Sequence, residues 1–265
     1  MAERIDKEFV DGLARGLAVL AAFDVTRPEM TLSEAARAIG SSPAATRRSL
    51  FTLAHLGFLR SVGKRYVLTP KVLKLGAAYL RCAHVEDALL PEIGSFVAEF
   101  GDASSIGILS GHDVLYIAHR SSQNSLRPIA GTGITYPAFA TSMGRVLLGR
   151  LSDEALSQYF AASERVALTD VSVTDPVALG QIIREARTRG YATAVDQLAY
   201  GVTSLAVPVT LASGEVFAAV NTSGYTGRQT PESLVTQRLE ALQACARRIG
   251  SVLDQYPTLR HSIQY

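Results

Sequence analysis

The sequence has only two cysteines among its 265 residues, Cys82 and Cys245. They lie far apart, and neither has a histidine or a second cysteine at metal-ligand spacing, so we expect no disulfide framework, no metal and no cofactor. No run approaches the ~18 apolar residues that a membrane span needs. The first ten residues also lack the apolar core of a signal peptide. These absences predict a protein of the reducing cytoplasm with no membrane partner.

Acidic residues are absent from residues 35–85, although basic residues occur throughout that stretch. The basic residues are Arg37, Arg47, Arg48, Arg60, Lys64, Arg65, Lys71, Lys74 and Arg81. A solvated surface normally mixes both signs of charge, so this run indicates a polyanionic partner. Residues 1–83 contain thirteen Lys/Arg and seven Asp/Glu, net +6, whereas residues 84–265 contain thirteen and seventeen, net −4. We therefore expect the first part to bind nucleic acid and the second to do something else.

Residues 31–59 have the pattern of two short helices joined by a tight turn. Thr31 and Glu34 form a capping box, Gly40 suits a helix C-terminus, and Ser42-Pro43 suits the start of the next helix. The pattern predicts a helix-turn-helix, although two packed helices without a DNA-binding role have the same pattern. The basic run favours double-stranded DNA as the partner.

The second of these helices has small residues beside arginines on its outer side, which suits close approach to a DNA groove. Thr46, Ser49, Leu50 and Leu53 are predicted to face inward. The segment FLRSVGKRYVLTP then predicts two short strands around Val62-Gly63-Lys64, which is either a DNA-contacting wing or an ordinary solvated turn. The predicted DNA-binding residues are Ser42, Ala44, Ala45, Arg47, Arg48, Thr52, Lys64 and Arg65.

The remaining pattern predicts an α+β protein of two domains. We expect a flexible arm over residues 1–10, a DNA-binding domain over 11–70, a linker helix over 71–84 and a second domain over 85–265. In the first helix, Asp11 is the predicted cap, and Leu13, Leu17 and Leu20 are the predicted buried face. The second domain is predicted to have hairpins at 103–120 and 205–223, with helices at 85–100, 142–151, 153–161 and 176–189 and a long last helix from Thr230 to just before Pro257.

The chain resembles the IclR-type transcriptional regulators over nearly its whole length. The resemblance lies in the HLGFL exit of the helix-turn-helix, in LTPKVLKLG, and in GYATAVDQLAYGVTSLAVPV followed by VFAAVNTSG. It implies a winged helix-turn-helix, a linker helix and a GAF-like effector-binding domain. It also implies a homodimer or a dimer of dimers on a pseudo-palindromic operator.

Two segments, RRSLFTLAHLGFL and YPAFATSMGRVLLG, are most similar to one subgroup of that family. This subgroup controls catabolism of protocatechuate, 4-hydroxybenzoate and related compounds of the β-ketoadipate pathway. A small organic acid, either an aromatic carboxylate or a β-ketoadipate-pathway intermediate, is therefore the expected effector. The resemblance implies that the effector contacts Ala140, Thr141, Ser142, Met143, Gly144, Asp196, Ser204, Asn221 and Ser223. Ala194 stands where members that respond to glyoxylate or pyruvate have an acidic residue, which makes a small keto acid bound in their way a poorer candidate.

The residues around Ser142 favour binding over catalysis. FATSMGR is not the G-x-S-x-G elbow of a nucleophilic serine, and no histidine or acidic residue stands in a recognisable relation to it, so we expect no enzyme activity. Thr141 or Ser142 instead caps a helix whose free amides near Met143 and Gly144 favour a carboxylate. The simpler alternative is a well-capped helix with no ligand.

Four further points complete the interpretation of the sequence. Asp196 either orients a ligand hydroxyl or caps a loop, and Arg120 and Arg145 are left out of the site because single arginines are usually surface residues. An enzyme domain fused to a DNA-binding module remains an alternative to a regulator. A nucleoid-like protein that binds DNA without an effector is the other alternative.

Overall fold

The computed structural model of the protein describes residues 8–122 and 130–263. The chain divides into two compact units, Met1–Tyr79 and Leu80–Tyr265. The arm predicted over residues 1–10 lies outside the described residues except for its last three. In the described ranges, no helix has the length and apolar character needed to cross a bilayer.

The N-terminal unit is a winged helix-turn-helix. Its elements are α1 Asp11–Ala21, β1 Glu29–Thr31, α2 Leu32–Ala38, α3 Pro43–His55, β2 Leu59–Val62, β3 Arg65–Leu68, a 3-10 turn Pro70–Val72 and the start of α4 Leu73–Cys82. The strands form a three-stranded antiparallel sheet in the order β1-β3-β2. Its core consists of Val19, Met30, Ala35, Leu50, Leu53 and Leu59.

Capping chemistry sets the helix boundaries of this unit, as the sequence predicts. The side chain of Thr31 accepts a hydrogen bond from the amide of Glu34, whose carboxylate accepts one from the amide of Thr31. Gly40 has a φ of 60°, in the left-handed region that glycine adopts without steric cost. Ser42 caps α3, and Pro43 is its first residue. The helix-turn-helix prediction is therefore confirmed.

The prediction for α1 is wrong in two respects. Val10, not Asp11, occupies the cap position, and Asp11 is the first helical residue. Leu13 and Leu17 are 64% and 55% exposed, whereas Val19 is the buried residue of the helix. Strand β1 was also not predicted, because three residues are too few to show an alternating pattern.

The C-terminal unit has a six-stranded antiparallel sheet in the order β6-β5-β4-β9-β8-β7. The strands are β4 Ala103–Ser110, β5 Asp113–Ser121, β6 Thr135–Pro137, β7 Ala192–Val195, β8 Val202–Thr210 and β9 Val216–Tyr225. The helices that follow α4 are α5 Val85–Ala88, α6 Leu90–Phe100, α7 Ser142–Leu148, α8 Asp153–Ala162, α9 Pro176–Arg189, α10 Pro231–Gln255 and α11 Pro257–Ile263. This arrangement confirms the α+β prediction.

Helices cover both faces of this sheet. On one face, Arg238 of α10 donates a hydrogen bond to Thr222 Oγ1 of β9 at 3.0 Å, and α6 packs against α10. On the other face, the side chain of Met143 in α7 lies over Gly107 of β4, and α7 packs in turn against α9. The α7 face is the one that carries the candidate site.

Local sequence predicts most of these elements, with three differences. The helix predicted over residues 85–100 is two helices, α5 and α6, with Pro91 in the first turn of the second. The short edge strands β6 and β7 were not predicted, and neither was α11 after Pro257. The two predicted hairpins are present as β4-β5 and β8-β9.

Candidate functional site

The outer side of α3 is a basic surface with small side chains. Of its predicted DNA-binding residues, Ser42, Ala44, Arg47, Arg48 and Thr52 are exposed. The outward placement predicted for Ala45 is wrong, because this residue is only 9% exposed and lies beside the buried Thr46. These exposed residues lie on α3 or at its N-terminal cap, so one short helix presents all of them to solvent.

The β2-β3 hairpin presents Lys64 at its tip, next to Gly63 with a φ of 61°. Arg65 differs from Lys64, because its guanidinium lies 3.4 Å from a carboxylate oxygen of Glu29 and 3.5 Å from one of Glu34. These two contacts neutralise Arg65 within its own unit. Lys64 is consequently the better candidate of the two for a contact with a DNA phosphate.

A cavity of about 340 Å³ lies within the C-terminal unit. Its floor is the α7 face of the sheet, and its walls come from β6, the loop before α7 and the β7-β8 loop. One cross-strand row of the sheet supplies five small floor residues. In order from β5 to β7, they are Ser121, Ala103, Ser223, Ser204 and Ala194.

The next cross-strand row contains His119, Ser105 and Asn221 on β5, β4 and β9. Ser105 Oγ and His119 Nδ1 are 2.8 Å apart, and the Ser105 amide donates to Asn221 Oδ1 at 2.9 Å. Burial lowers the pKa of His119 below its ordinary value, so the ring is neutral at pH 7. His119 and Asn221 both line the cavity.

The loop that enters α7 forms the wall opposite this floor. Thr141 caps the helix, because its hydroxyl accepts the amide of Gly144 at 2.9 Å. The prediction of a free amide at Gly144 is therefore wrong. A Cβ built on Gly144 would overlap the backbone carbonyl of Ala138, so the glycine is required for packing rather than for ligand access.

Ser142 lies in the cavity wall and is 1% exposed. In the part of the chain that the structure describes, its hydroxyl has no hydrogen-bond partner. Only one other buried hydroxyl among those residues, that of Thr203, shares this property. Burying a hydroxyl without a partner costs free energy, so Ser142 stands out as a group that a ligand would satisfy.

The predicted effector residues separate into two groups. Those that line the cavity are Ala140, Thr141, Ser142, Ser204, Asn221 and Ser223. Met143 and Gly144 are fully buried behind the wall, and Asp196 lies outside the wall as well. Asp196 has a φ of 53°, and its carboxylate accepts hydrogen bonds from the Gly201 amide and from Thr226 Oγ1. Of the two roles considered for Asp196, these contacts favour the cap of a loop over the orientation of a ligand hydroxyl.

Arg145 is buried, contrary to the expectation of a surface residue. Its guanidinium donates to the carbonyls of Phe139 and Thr193 and to Gln197 Oε1, at 3.3, 2.9 and 2.8 Å. Among the described residues it has no carboxylate within ion-pair distance, and burial lowers the pKa of Arg145 to about 10. Gln197 lines the cavity, so a positive charge lies directly behind this wall.

The cavity is also lined by four residues that the sequence did not predict, Tyr116, Tyr136, Gln197 and Arg228, and by His119, for which the sequence favoured a surface or structural role. A β-bulge explains Tyr116 and His119. Ala118 pairs with Ile106 and Tyr116 pairs with Gly107, so Ile117 is an extra residue on β5. Tyr116 and His119 are three residues apart, which would put them on opposite faces of a regular strand, and the bulge brings them to the same face.

Comparisons with known proteins agree with this architecture. Residues 12–63 match the IclR helix-turn-helix domain, and residues 77–251 match the bacterial transcriptional regulator IclR C-terminal domain. The chain is 36% identical to the Pca regulon regulatory protein of Pseudomonas putida over 91% of this chain and 84% of that protein. It is 31% identical to the p-hydroxybenzoate hydroxylase transcriptional activator of Acinetobacter baylyi over 93% of each chain.

A solved structure shares the fold at lower identity. It is an IclR homolog of Microbacterium hydrocarbonoxydans in complex with 4-hydroxybenzoate, with a TM-score of 0.71 and 23% identity over 92% of this chain and 99% of that one. The relatives named above are transcriptional regulators, in agreement with the expectation that the chain is not an enzyme. The two domain matches together cover most of the sequence, and the chain belongs to the IclR family of bacterial transcriptional regulators.

Proposed function

We propose that this regulator controls genes of aromatic-compound catabolism and that its effector is a small aromatic carboxylate bound in the C-terminal cavity. The protein binds a pseudo-palindromic operator through α3 and the β2-β3 hairpin, as a homodimer or a dimer of dimers. Effector binding changes its affinity for that operator. The observation that carries this proposal is the composition of the cavity wall.

The cavity has the size and the lining of a small-molecule site. Its volume of about 340 Å³ falls at the lower end of the range for ligand pockets, which suits a single-ring compound. Tyr116 and Tyr136 supply aromatic surface, and Ser142, Ser204 and Ser223 supply hydroxyls. An aromatic ring with polar substituents matches this mixture better than an aliphatic chain does.

The charge distribution favours an anionic group at one end. Arg145 donates to the carbonyl of Thr193, next to Ala194 on β7, so its positive charge lies at the β7 end of the floor. Ala194 leaves that end without an acidic side chain that would repel a carboxylate. Gln197 is held between the guanidinium and the cavity. We infer that the effector carboxylate lies at this end, close to Ser142 and Ser204.

The named relatives support the same class of effector. One is the regulatory protein of the Pca regulon and another is the transcriptional activator of p-hydroxybenzoate hydroxylase, while a protein of the same fold binds 4-hydroxybenzoate. Those statements concern the relatives. Together with the subgroup resemblance, they make 4-hydroxybenzoate and protocatechuate the candidate effectors of this chain, and the aliphatic β-ketoadipate the competing candidate.

The test combines calorimetry with a DNA-binding assay. An operator is first selected from random DNA by repeated rounds of binding to the full-length protein. Each candidate acid is then titrated calorimetrically, with pyruvate and glyoxylate as comparison compounds, and the operator is titrated with and without each acid in a mobility-shift assay. We expect saturable binding of at least one aromatic acid and a changed operator affinity in its presence.

Two outcomes would contradict the proposal. If pyruvate or glyoxylate bound more tightly than every aromatic acid, the assignment of the effector class would be wrong. If affinity for the selected DNA were within about tenfold of that for random DNA, operator specificity would be absent, because specific regulators usually show roughly 10³-fold or more.

A further inference from the structure

The end of the cavity that Tyr116 and Tyr136 line also contains His119, which the proposed carboxylate site does not use. His119 lies on β5, and the strands β5, β4, β9 and β8 are consecutive in the sheet. Three interstrand steps of about 4.8 Å, roughly 14 Å in all, therefore separate the backbone at His119 from the backbone of β8, which carries Ser204. A ligand that reaches His119 from the carboxylate end must span most of the cavity.

His119 is held in one orientation. Its Nδ1 is 2.8 Å from Ser105 Oγ, and the amide of Ser105 is itself bonded to Asn221 Oδ1, so three adjacent strands fix the ring. With Nδ1 in that contact, Nε2 is the ring nitrogen left for a ligand. A phenol hydroxyl both donates and accepts hydrogen bonds, so it pairs with Nε2 in either tautomer of the ring.

Two tyrosines lie on the same side as His119 and provide aromatic surface. The rings of Tyr116 and Tyr136 have centroids 5.2 Å apart and an interplanar angle of 72°, an edge-to-face pair. Burial raises the pKa of both phenols, so neither carries a negative charge at pH 7. A benzene ring beside this pair gains apolar contact without facing a charge from these two side chains.

We propose that His119 is a specificity-determining residue that forms a hydrogen bond with an effector hydroxyl remote from its carboxylate, while the effector ring packs beside Tyr116 and Tyr136. This inference rests on the proposed function, because it assumes that an aromatic acid enters the cavity with its carboxylate toward β7. It assigns the cavity to 4-hydroxylated aromatic acids in particular, as opposed to unsubstituted or aliphatic acids.

The test compares two ligands that differ by one hydroxyl. Full-length wild-type protein, His119→Phe, His119→Gln and the control His261→Phe are titrated calorimetrically with 4-hydroxybenzoate and with benzoate. His261 is an exposed residue of α11 and does not line the cavity. Thermal unfolding of each variant, measured in parallel, verifies that it folds.

We expect the wild type and His261→Phe to bind 4-hydroxybenzoate about tenfold more tightly than benzoate, the ratio that one hydrogen bond commonly provides. In His119→Phe this ratio should fall to within about twofold, with benzoate affinity nearly unchanged. His119→Gln, which retains a hydrogen-bonding side chain, should keep part of the ratio, and it carries the test if the phenylalanine variant does not fold.

The outcomes separate this inference from the proposed function. The role of His119 alone would be overturned if the wild-type protein bound aromatic acids and both His119 variants kept the wild-type ratio of 4-hydroxybenzoate to benzoate affinity. Equal weakening of both ligands by His119→Phe would also overturn it, since that result describes a structural residue. If the wild-type protein bound neither of these ligands nor protocatechuate, the proposed function and this inference would fail together.

Discussion

Replacing Ser142 by alanine should make the effector-free protein more stable and its effector binding weaker. The Ser142 hydroxyl is buried and has no partner within the described ranges of the chain. Leaving a buried hydroxyl unpaired costs about 1–3 kcal/mol, whereas removing one oxygen atom leaves only a small void. We expect a net gain of about 1 kcal/mol, which corresponds to a rise in melting temperature of roughly 2–4 °C for a unit of this size.

The effect on binding should have the opposite sign. In the proposed complex, the Ser142 hydroxyl donates a hydrogen bond to the effector carboxylate. A hydrogen bond to a charged group contributes about 1.5–3 kcal/mol, so its loss should weaken binding by roughly 10- to 150-fold. A variant that gains stability while losing affinity is not expected from a general disturbance of the fold.

Thr203 provides the matched control, because its hydroxyl is likewise buried without a partner among the described residues. Thr203 is not part of the cavity wall, although its neighbours Val202 and Ser204 are. Thr203→Val should therefore raise stability by a similar amount and leave the effector Kd unchanged. Denaturant unfolding and calorimetric titration of both variants measure the two quantities. A destabilised Ser142→Ala protein, or equal Kd changes in both variants, would refute the reasoning.

Three further expectations concern DNA binding and packing. Arg47→Ala and Arg48→Ala should weaken operator binding, by about 1–3 kcal/mol for a base-edge contact, and unchanged mobility-shift affinity in both would exclude α3 from the groove. Lys64→Ala should weaken binding to the operator and to random DNA by similar factors. Its effect should exceed that of Arg65→Ala, because Arg65 contacts two glutamates of its own unit. A loss of affinity confined to the operator would identify Lys64 as a residue that contacts bases. Gly144→Ala should lower stability by about 1–3 kcal/mol or more, because its Cβ overlaps backbone, and a wild-type melting temperature would contradict that packing.

Capping residues explain why so many helix boundaries were predictable. Thr31, Ser42, Thr141 and Thr230 each accept a hydrogen bond from a backbone amide three residues on, so the signal and the structure lie within one turn of each other. Apolar periodicity was less reliable. In α1 it selected Leu13 and Leu17, which are exposed, because a pattern of leucines does not say which face of a short helix meets the core.

The candidate site was only partly predictable, for a related reason. Ser204, Ser223 and Asn221 of the floor come from the motifs that carry the family resemblance, and the strand register brings them together. Tyr116 and His119 have no such signal, because a single extra residue on β5 decides that they share a face. A bulge depends on the pairing of two strands and does not appear in the local sequence of either one.

The amide of Gly144 is not free to bind a ligand, contrary to the prediction from the helix start. Thr141 already caps that amide, and Gly144 is closed against the 3-10 turn that precedes α7. The hydroxyl that lacks a partner belongs to the intervening residue, Ser142. The positive charge near the wall belongs to Arg145, one helical turn from the cap, where sequence alone suggested a surface residue.

Arg145 also explains how an acidic domain would bind the acidic effector that we propose. Residues 84–265 carry a net charge of −4, but that repulsion acts mainly through solvent, where it is screened beyond about 8–10 Å at physiological salt. Arg145 is 5% exposed, so its attraction for a carboxylate inside the cavity is screened much less. Gln197 lies between the guanidinium and the cavity: its Oε1 accepts from Arg145 at 2.8 Å and from the Val173 amide at 3.0 Å, and its Nε2 donates to the Val171 carbonyl at 2.6 Å. Long-range repulsion and short-range attraction therefore act at different distances, and the short-range attraction decides affinity once the effector is inside.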